Sequence, residues 1–126
     1  MDVLTTAAAS FVSKGECADG NLRLALSGEI DMASNAALST VLTATHEEAV
    51  RAKVGTVSVD LTALNFVNSS GLKHFVTWLR AVSELAPSAG YRITFICSRV
   101  AKWQQRSIEV LRCFAPDVVT VVMPEA

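Results

Sequence analysis

A chain of 126 residues, 51% of them hydrophobic, has the length of one domain and enough apolar material for a core, which excludes a disordered chain. Lys and Arg number 11 against 12 Asp and Glu, a formal net charge of −1, so binding nucleic acid by neutralising phosphates is not expected. Cys17, Cys97 and Cys113 are odd in number and lack a Cys-x-x-Cys pair, which argues against a disulfide framework or zinc site and for a reducing compartment.

The apolar runs fall far short of the roughly 20 residues that span a bilayer. Asp2 stands where a secretory signal carries positive charge, and Ser10, Ser13 and Lys14 interrupt the Ala-rich start. The expectation is one cytoplasmic domain over residues 1–126, without membrane insertion.

Residues 10–17 read as a strand, 18–21 as its turn and 22–27 as a second strand in strict alternation, a β-hairpin. Residues 27–31 break the alternation. From Asp31 the period becomes helical: Leu38, Val41, Leu42, Thr45 and Ala49 share one face of a helix running to about Ala52. Residues 56–61 alternate again, with Val57, Val59 and Leu61 on one side, and a short loop through Asn65 leads to Phe66 and Val67. A second helix follows with a stripe of Leu72, Phe75, Val76, Leu79, Val82 and Ala86, closed by Pro87, Ser88 and Gly90. Residues 91–97 form the next strand. A third helix over about 99–114 turns Val100, Trp103, Val110, Leu111 and Phe114 inward, and residues 118–123 form a last strand.

The order β-β-α-β-α-β-α-β implies an α/β fold with parallel pairing after the hairpin. Arg23 and Ser27, then Thr56, Ser58 and Asp60, then Arg92 and Thr94 put polar groups on one side of three strands. Strands covered on both faces read as unbroken apolar runs. The expected architecture is therefore a mixed, mostly parallel sheet opened by an N-terminal β-hairpin, with helices mainly on one face.

Asn68-Ser69-Ser70-Gly71 precedes the second helix. Asn or Ser there suits an N-cap, whose side chain accepts from an orphan amide of the first turn. The same position suits a phosphate, which would meet free N–H groups and the positive end of the helix dipole. A phosphoserine brings a charge of about −1.5 to −2. The domain tolerates that charge; an apolar or acidic partner pressed against it does not.

Leu26-Ser27-Gly28-Glu29-Ile30-Asp31, within the stretch from Leu22 to Leu42, resembles the opening motif of STAS domains, the family of anti-sigma factor antagonists. Val57-Ser58-Val59-Asp60-Leu61, then Phe66-Val67-Asn68-Ser69-Ser70-Gly71-Leu72, resembles that family's phosphorylation loop, and with the element order the likeness spans nearly the whole chain. The resemblance implies a non-enzymatic regulator of a bacterial partner-switching pathway, without a cofactor. Its partner would be an anti-sigma factor that is also a serine kinase of the histidine-kinase-like ATPase group, with a PP2C-type phosphatase reversing the modification. Phosphorylation at Ser69, with Ser70 as fallback acceptor, would abolish binding. Asn68 stands where the family most often has Asp; it keeps the cap oxygen and removes a negative charge beside the acceptor. Residues expected to meet the partner are Glu29, Asp31, Asn68, Ser70, Gly71, Lys73 and His74, with Gly71 allowing close backbone approach. Asp31 equally suits an N-cap of the first helix, and Asp60 either orients the loop or faces solvent. The alternative is a STAS-like accessory subunit docked on a transporter ATPase without reversible phosphorylation.

Ser70 and His74 are spaced i, i+4, but no orienting acid or oxyanion site accompanies them, so an enzyme is not expected. His74 falls with Lys73, Thr77 and Arg80 on a solvent face, and His46 beside Glu47 and Glu48 reads the same way. Two unpaired histidines support no metal site. Arg99, Lys102 and Arg106 read as a solvated face, or alternatively a docking patch. Trp78 either completes the core or anchors an interface, and the cysteines read as small buried apolar residues.

Overall fold

Asp19 and Gly20 both adopt positive φ, 54° and 78°, the backbone of a two-residue type I′ turn whose twist matches the strands it joins. That turn connects β2 (Phe11–Ala18) to β3 (Asn21–Ile30). The computed structural model describes residues 6–8, 11–85 and 90–123. Ser10, Ala86, Pro87 and Ser88, which figured in the expected elements, lie outside them. A strand that sequence reading missed, β1 (Thr6–Ala8), pairs antiparallel with β2. The sheet then runs in chain order through β4 (Thr56–Val67), β5 (Arg92–Ile96) and β6 (Val119–Val122). β2 and β3 are antiparallel, and every later neighbour pair is parallel.

Two strands are longer than the alternation suggested. β3 continues through Ser27-Gly28-Glu29-Ile30 because its register against β4 slips between Ala25 and Ser27 and again between Gly28 and Glu29. Gly28 sits at φ 90° there, a conformation that costs glycine least. β4 likewise passes through Asn65, where a loop was expected. It pairs with β5 only from Thr56 to Asp60. Beyond that point the buried side chain of Gln104 takes the place of a neighbouring strand. Its Nε2 donates to Leu61 O at 2.7 Å and Leu64 O at 2.8 Å, and its Oε1 accepts from the Ser98 amide at 2.8 Å.

A 3-10 turn, Met32–Ser34, precedes α1 (Asn35–Arg51), so the α-helix starts later than Asp31. Its buried residues are Leu38, Val41, Leu42, Thr45 and Ala49, the stripe read from the sequence. α2 (Ser69–Ser83) buries Gly71, Phe75, Trp78, Leu79 and Val82. Trp78 completes the core and donates its indole N–H to the Tyr91 hydroxyl at 2.8 Å. α3 (Lys102–Phe114) corrects the sequence reading: it buries Gln104, Ile108 and Leu111, whereas Val100, Val110 and Phe114 are exposed. Ile108 and Val110 are about 200° apart around a helix, so both cannot face the sheet. The need for Gln104 over the carbonyls of β4 decides which stripe turns inward. Trp103 is partly buried against the core.

Leu22, Leu24, Val57, Val59, Ile93 and Phe95 are fully shielded beneath the helices, and the Phe75 ring meets that of Phe95 edge-on at 5.9 Å. The other face is open and polar. Arg23 there pairs with Asp60 at 2.8 Å, and Arg92 donates to the Asp117 carbonyl and the Thr120 hydroxyl. Among the cysteines only Cys97 is buried, where desolvation pushes its thiol up to about 11. Cys17 and Cys113 are exposed, against expectation: Cys17 pairs with Leu22 next to the hairpin turn, and Cys113 is two residues past Leu111, on the outer side of α3.

Gln104→Ala leaves two carbonyls and one amide without their partner inside the protein. It is expected to destabilise the fold by about 2–4 kcal/mol, seen as a lower urea midpoint at unchanged slope. Burial raises the Asp60 carboxyl, but hydrogen bonds from the Thr62 hydroxyl and amide, and then Arg23, outweigh it and hold the group below the usual carboxylate range. A depressed folded pKa contributes stability above the unfolded value and loses it as pH falls through the folded value. Asp60→Asn should therefore cost about 0.2–1 kcal/mol at neutral pH, the scale for a half-exposed pair. The gap to wild type should close as unfolding is repeated at falling pH.

Candidate functional site

β4 hands over to α2 at Asn68, whose backbone is still extended (φ −81°, ψ 174°). Its side-chain Oδ1 accepts the Gly71 amide at 2.8 Å, the N-cap bond that its chemistry favours. Its own N–H donates to Ile30 O at 3.0 Å, which ties the start of α2 to the end of β3. Asn35, in the first turn of α1, donates from Nδ2 to Asn68 Oδ1 at 3.2 Å and to Asp31 O at 2.6 Å. Asp31 Oδ1 in turn accepts from the amide and hydroxyl of Ser34, at 3.2 and 3.1 Å. The two strand-to-helix junctions are thereby interlocked, β3 into α1 and β4 into α2.

Ser69 and Ser70 are the first residues of α2, and both are exposed. As first-turn residues they have no intrahelical acceptor for their amides, so the hydroxyls sit in solvent at the positive end of the helix. Asp31 caps the 3-10 turn, and Asp60 orients Thr62 at the bend of β4 while pairing with Arg23. Glu29 is exposed beside this end of the sheet, opposite Phe66 in register. Lys73 is exposed one turn into α2.

Three residues are placed differently from expectation. Gly71 is buried; a Cβ on it would lie 2.6 Å from Val67 Cγ2 and 3.0 Å from Ile30 Cγ2. The close approach that this glycine permits is that of α2 to its own strand ends. His74 is half-buried and lines the seam between α1 and α2, rather than standing with Lys73 in solvent. His46 likewise faces this seam, and its Nδ1 lies 2.7 Å from the Tyr91 hydroxyl.

Sequence reading missed Asn35, Met32 and Phe66. Asn35 lies 33 residues from Asn68, and nothing local marks such a partner. Met32 and Phe66 are exposed apolar side chains, 83% and 48%, at the end of the sheet that carries Ser69. Period-2 alternation back from buried Val67 would have put Phe66 on the open side. Among the described residues, no three His, Cys, Asp or Glu side chains cluster to hold a metal ion. No described helix is long and apolar enough to cross a membrane.

The cap makes a direct expectation. Asn68→Ala removes both the Gly71 bond and the Asn35 bridge and should cost about 1–2 kcal/mol, read as a lowered urea midpoint. Asn68→Asp keeps an acceptor and adds charge at the positive helix end, and should match or exceed wild type.

No protein-family profile matches the sequence, and no curated protein matches it. The fold does have a solved counterpart: the crystal structure of an anti-sigma factor antagonist from Mycobacterium paratuberculosis superposes with a TM-score of 0.66. The two sequences are 23% identical, over 92% of this chain and 87% of that one. With its mixed sheet, its parallel crossovers and three helices on one face, the chain has a STAS-type fold, that of an anti-sigma factor antagonist.

Proposed function

We propose that this protein is a non-enzymatic regulator that binds an anti-sigma factor with serine-kinase activity and is released from it by phosphorylation at Ser69. The observation that carries the reading is the placement of Ser69: an exposed hydroxyl on the first residue of α2, in the fold of an anti-sigma factor antagonist. In the modification, Ser69 Oγ attacks the γ-phosphorus of ATP. The new Oγ–P bond forms as the bond to the β-phosphate oxygen breaks, ADP departs, and the hydroxyl proton passes to a base supplied by the kinase. A phosphatase of the PP2C type returns the serine by hydrolysis.

The surroundings favour a switch that acts on the partner and spares the fold. A dianion at Ser69 would face the first-turn amides of α2. Glu29, Ser70 and Lys73, with the apolar Met32 and Phe66, form the contact surface in this reading. Asn68, Asp31 and Gly71 hold that surface from beneath. A kinase side chain covering Ser69 would have to desolvate the phosphate, and every ~1.4 kcal/mol of that penalty weakens binding tenfold.

The test uses wild type, Ser69→Ala and Ser69→Asp as baits in source cells, with the captured ATPase then purified. Wild type and Ser69→Ala should retain the same ATPase-type partner, and Ser69→Asp should bind it about 100-fold more weakly, a few kcal/mol. Its Tm should be unchanged or raised, since an acidic group at a helix start stabilises by roughly 0.3–1 kcal/mol. With partner and ATP, wild type should gain one phosphoryl group on the peptide containing Ser69. Equal binding by all three proteins, or phosphate elsewhere, would sink the proposal.

A further inference from the structure

The seam between α1 and α2 opens into a cavity of about 200 Å³. Leu42 and Trp78, each only 3% exposed, form its apolar floor. His46 and Thr43 line it from α1, and His74 and Ala81 from α2. An apolar cavity of about 150 Å³ accepts a benzene ring, so this one has room for a single ring bearing a small substituent, and it is too small for a drug-sized molecule.

Its polarity is set by a buried relay. The Trp78 indole can only donate, and it donates to the Tyr91 oxygen. Tyr91 is 5% exposed, and its one hydroxyl proton is satisfied by donation to His46 Nδ1, 2.7 Å away. This fixes His46 as the neutral tautomer with its proton on Nε2. Burial, outweighing the opposing charge of Glu47, lowers the His46 pKa, in the direction of the neutral ring. Nε2–H is then the polar atom left to His46, and it donates to no acceptor among the described residues. A donor held in one tautomer beside an apolar, Trp-floored cavity is complementary to a ring that carries an acceptor.

We propose that the α1–α2 seam is a binding site for a small monocyclic aromatic bearing a hydrogen-bond acceptor, its ring over Leu42 and Trp78 and its acceptor on His46 Nε2–H. The site is separate from Ser69 and does not depend on the phosphorylation reading. It lies on α2 one turn beyond Gly71, so its occupant would contact the helix that presents the serine.

Acetophenone (ring plus carbonyl) and ethylbenzene (ring alone) are titrated into the full-length protein while the Trp78 indole N–H is followed by NMR. Acetophenone should bind saturably, move that signal, and bind about fivefold tighter than ethylbenzene, the worth of one neutral hydrogen bond. Ala81→Leu and Thr43→Leu, from opposite walls, should each weaken it about tenfold by filling the space. Equal affinity for the two probes would overturn the acceptor requirement. Absence of saturable binding to the solubility limit, shifts confined to other regions, or binding indifferent to both filled variants would overturn the site.

Discussion

The hydrogen bonds meeting at Asn68 hold the end of the sheet that presents Ser69. Its amide is pinned to the Ile30 carbonyl, and its side-chain oxygen receives both the Gly71 amide and the Asn35 amide group. One residue thereby sets the end of β4, the start of α2 and the position of both relative to α1. Gly71 completes the arrangement from below, because only a missing side chain lets the helix settle on Val67 and Ile30. Ser69 is held by a backbone that is over-determined on every side but the solvent side, and this gives an exposed residue a defined position.

That end of the sheet would be hard to build from strand pairing alone. β4 outruns β5 by more than half its length, and a strand edge facing a helix layer has carbonyls that water cannot reach. Gln104 supplies the missing donors to Leu61 and Leu64. A long amide on α3 thus lets β4 extend far enough to deliver Asn68 beside Ile30. The same demand explains why α3 turns a polar residue inward and leaves Val110 and Phe114 in solvent: satisfying two buried carbonyls outweighs burying one more apolar side chain.

Apart from Gln104, two further polar networks among the described residues of the helix layer are separate from each other. One runs through Asp31, Ser34, Asn35 and Asn68 at the end of the sheet. The other runs from Trp78 through Tyr91 to His46 beneath the α1–α2 seam. In the first, the Asp31 carboxylate caps the 3-10 turn while the neutral side chain of Asn68 caps α2, so that cap holds its geometry with no formal charge on residue 68. A phosphate on the neighbouring serine, in the proposed switch, would meet helix amides and no carboxylate on residue 68. The second network buries an aromatic hydroxyl with its proton donated and its oxygen accepting, and it turns the remaining imidazole N–H into a donor.

Local periodicity carries the stripe of α1, the alternation of the strands and the turn at Asp19-Gly20, because those signals follow from backbone geometry within a few residues. The cap at Asn68 and the exposed serines behind it were legible for the same reason: an N-cap is a local hydrogen bond. The length of β4, the orientation of α3, the partnership of Asn35 with Asn68 and the inward turn of His46 and His74 were not. Each depends on groups tens of residues apart meeting across the sheet or the helix seam, and on which buried polar atom most needs a partner. The order of strands and α-helices from β2 onward and the place of the candidate serine are thus properties of this amino-acid sequence taken alone. Which face each helix turns inward, and which side chains hold that serine in place, was decided in three dimensions, where unsatisfied buried carbonyls and amides cost more than the apolar pattern can override.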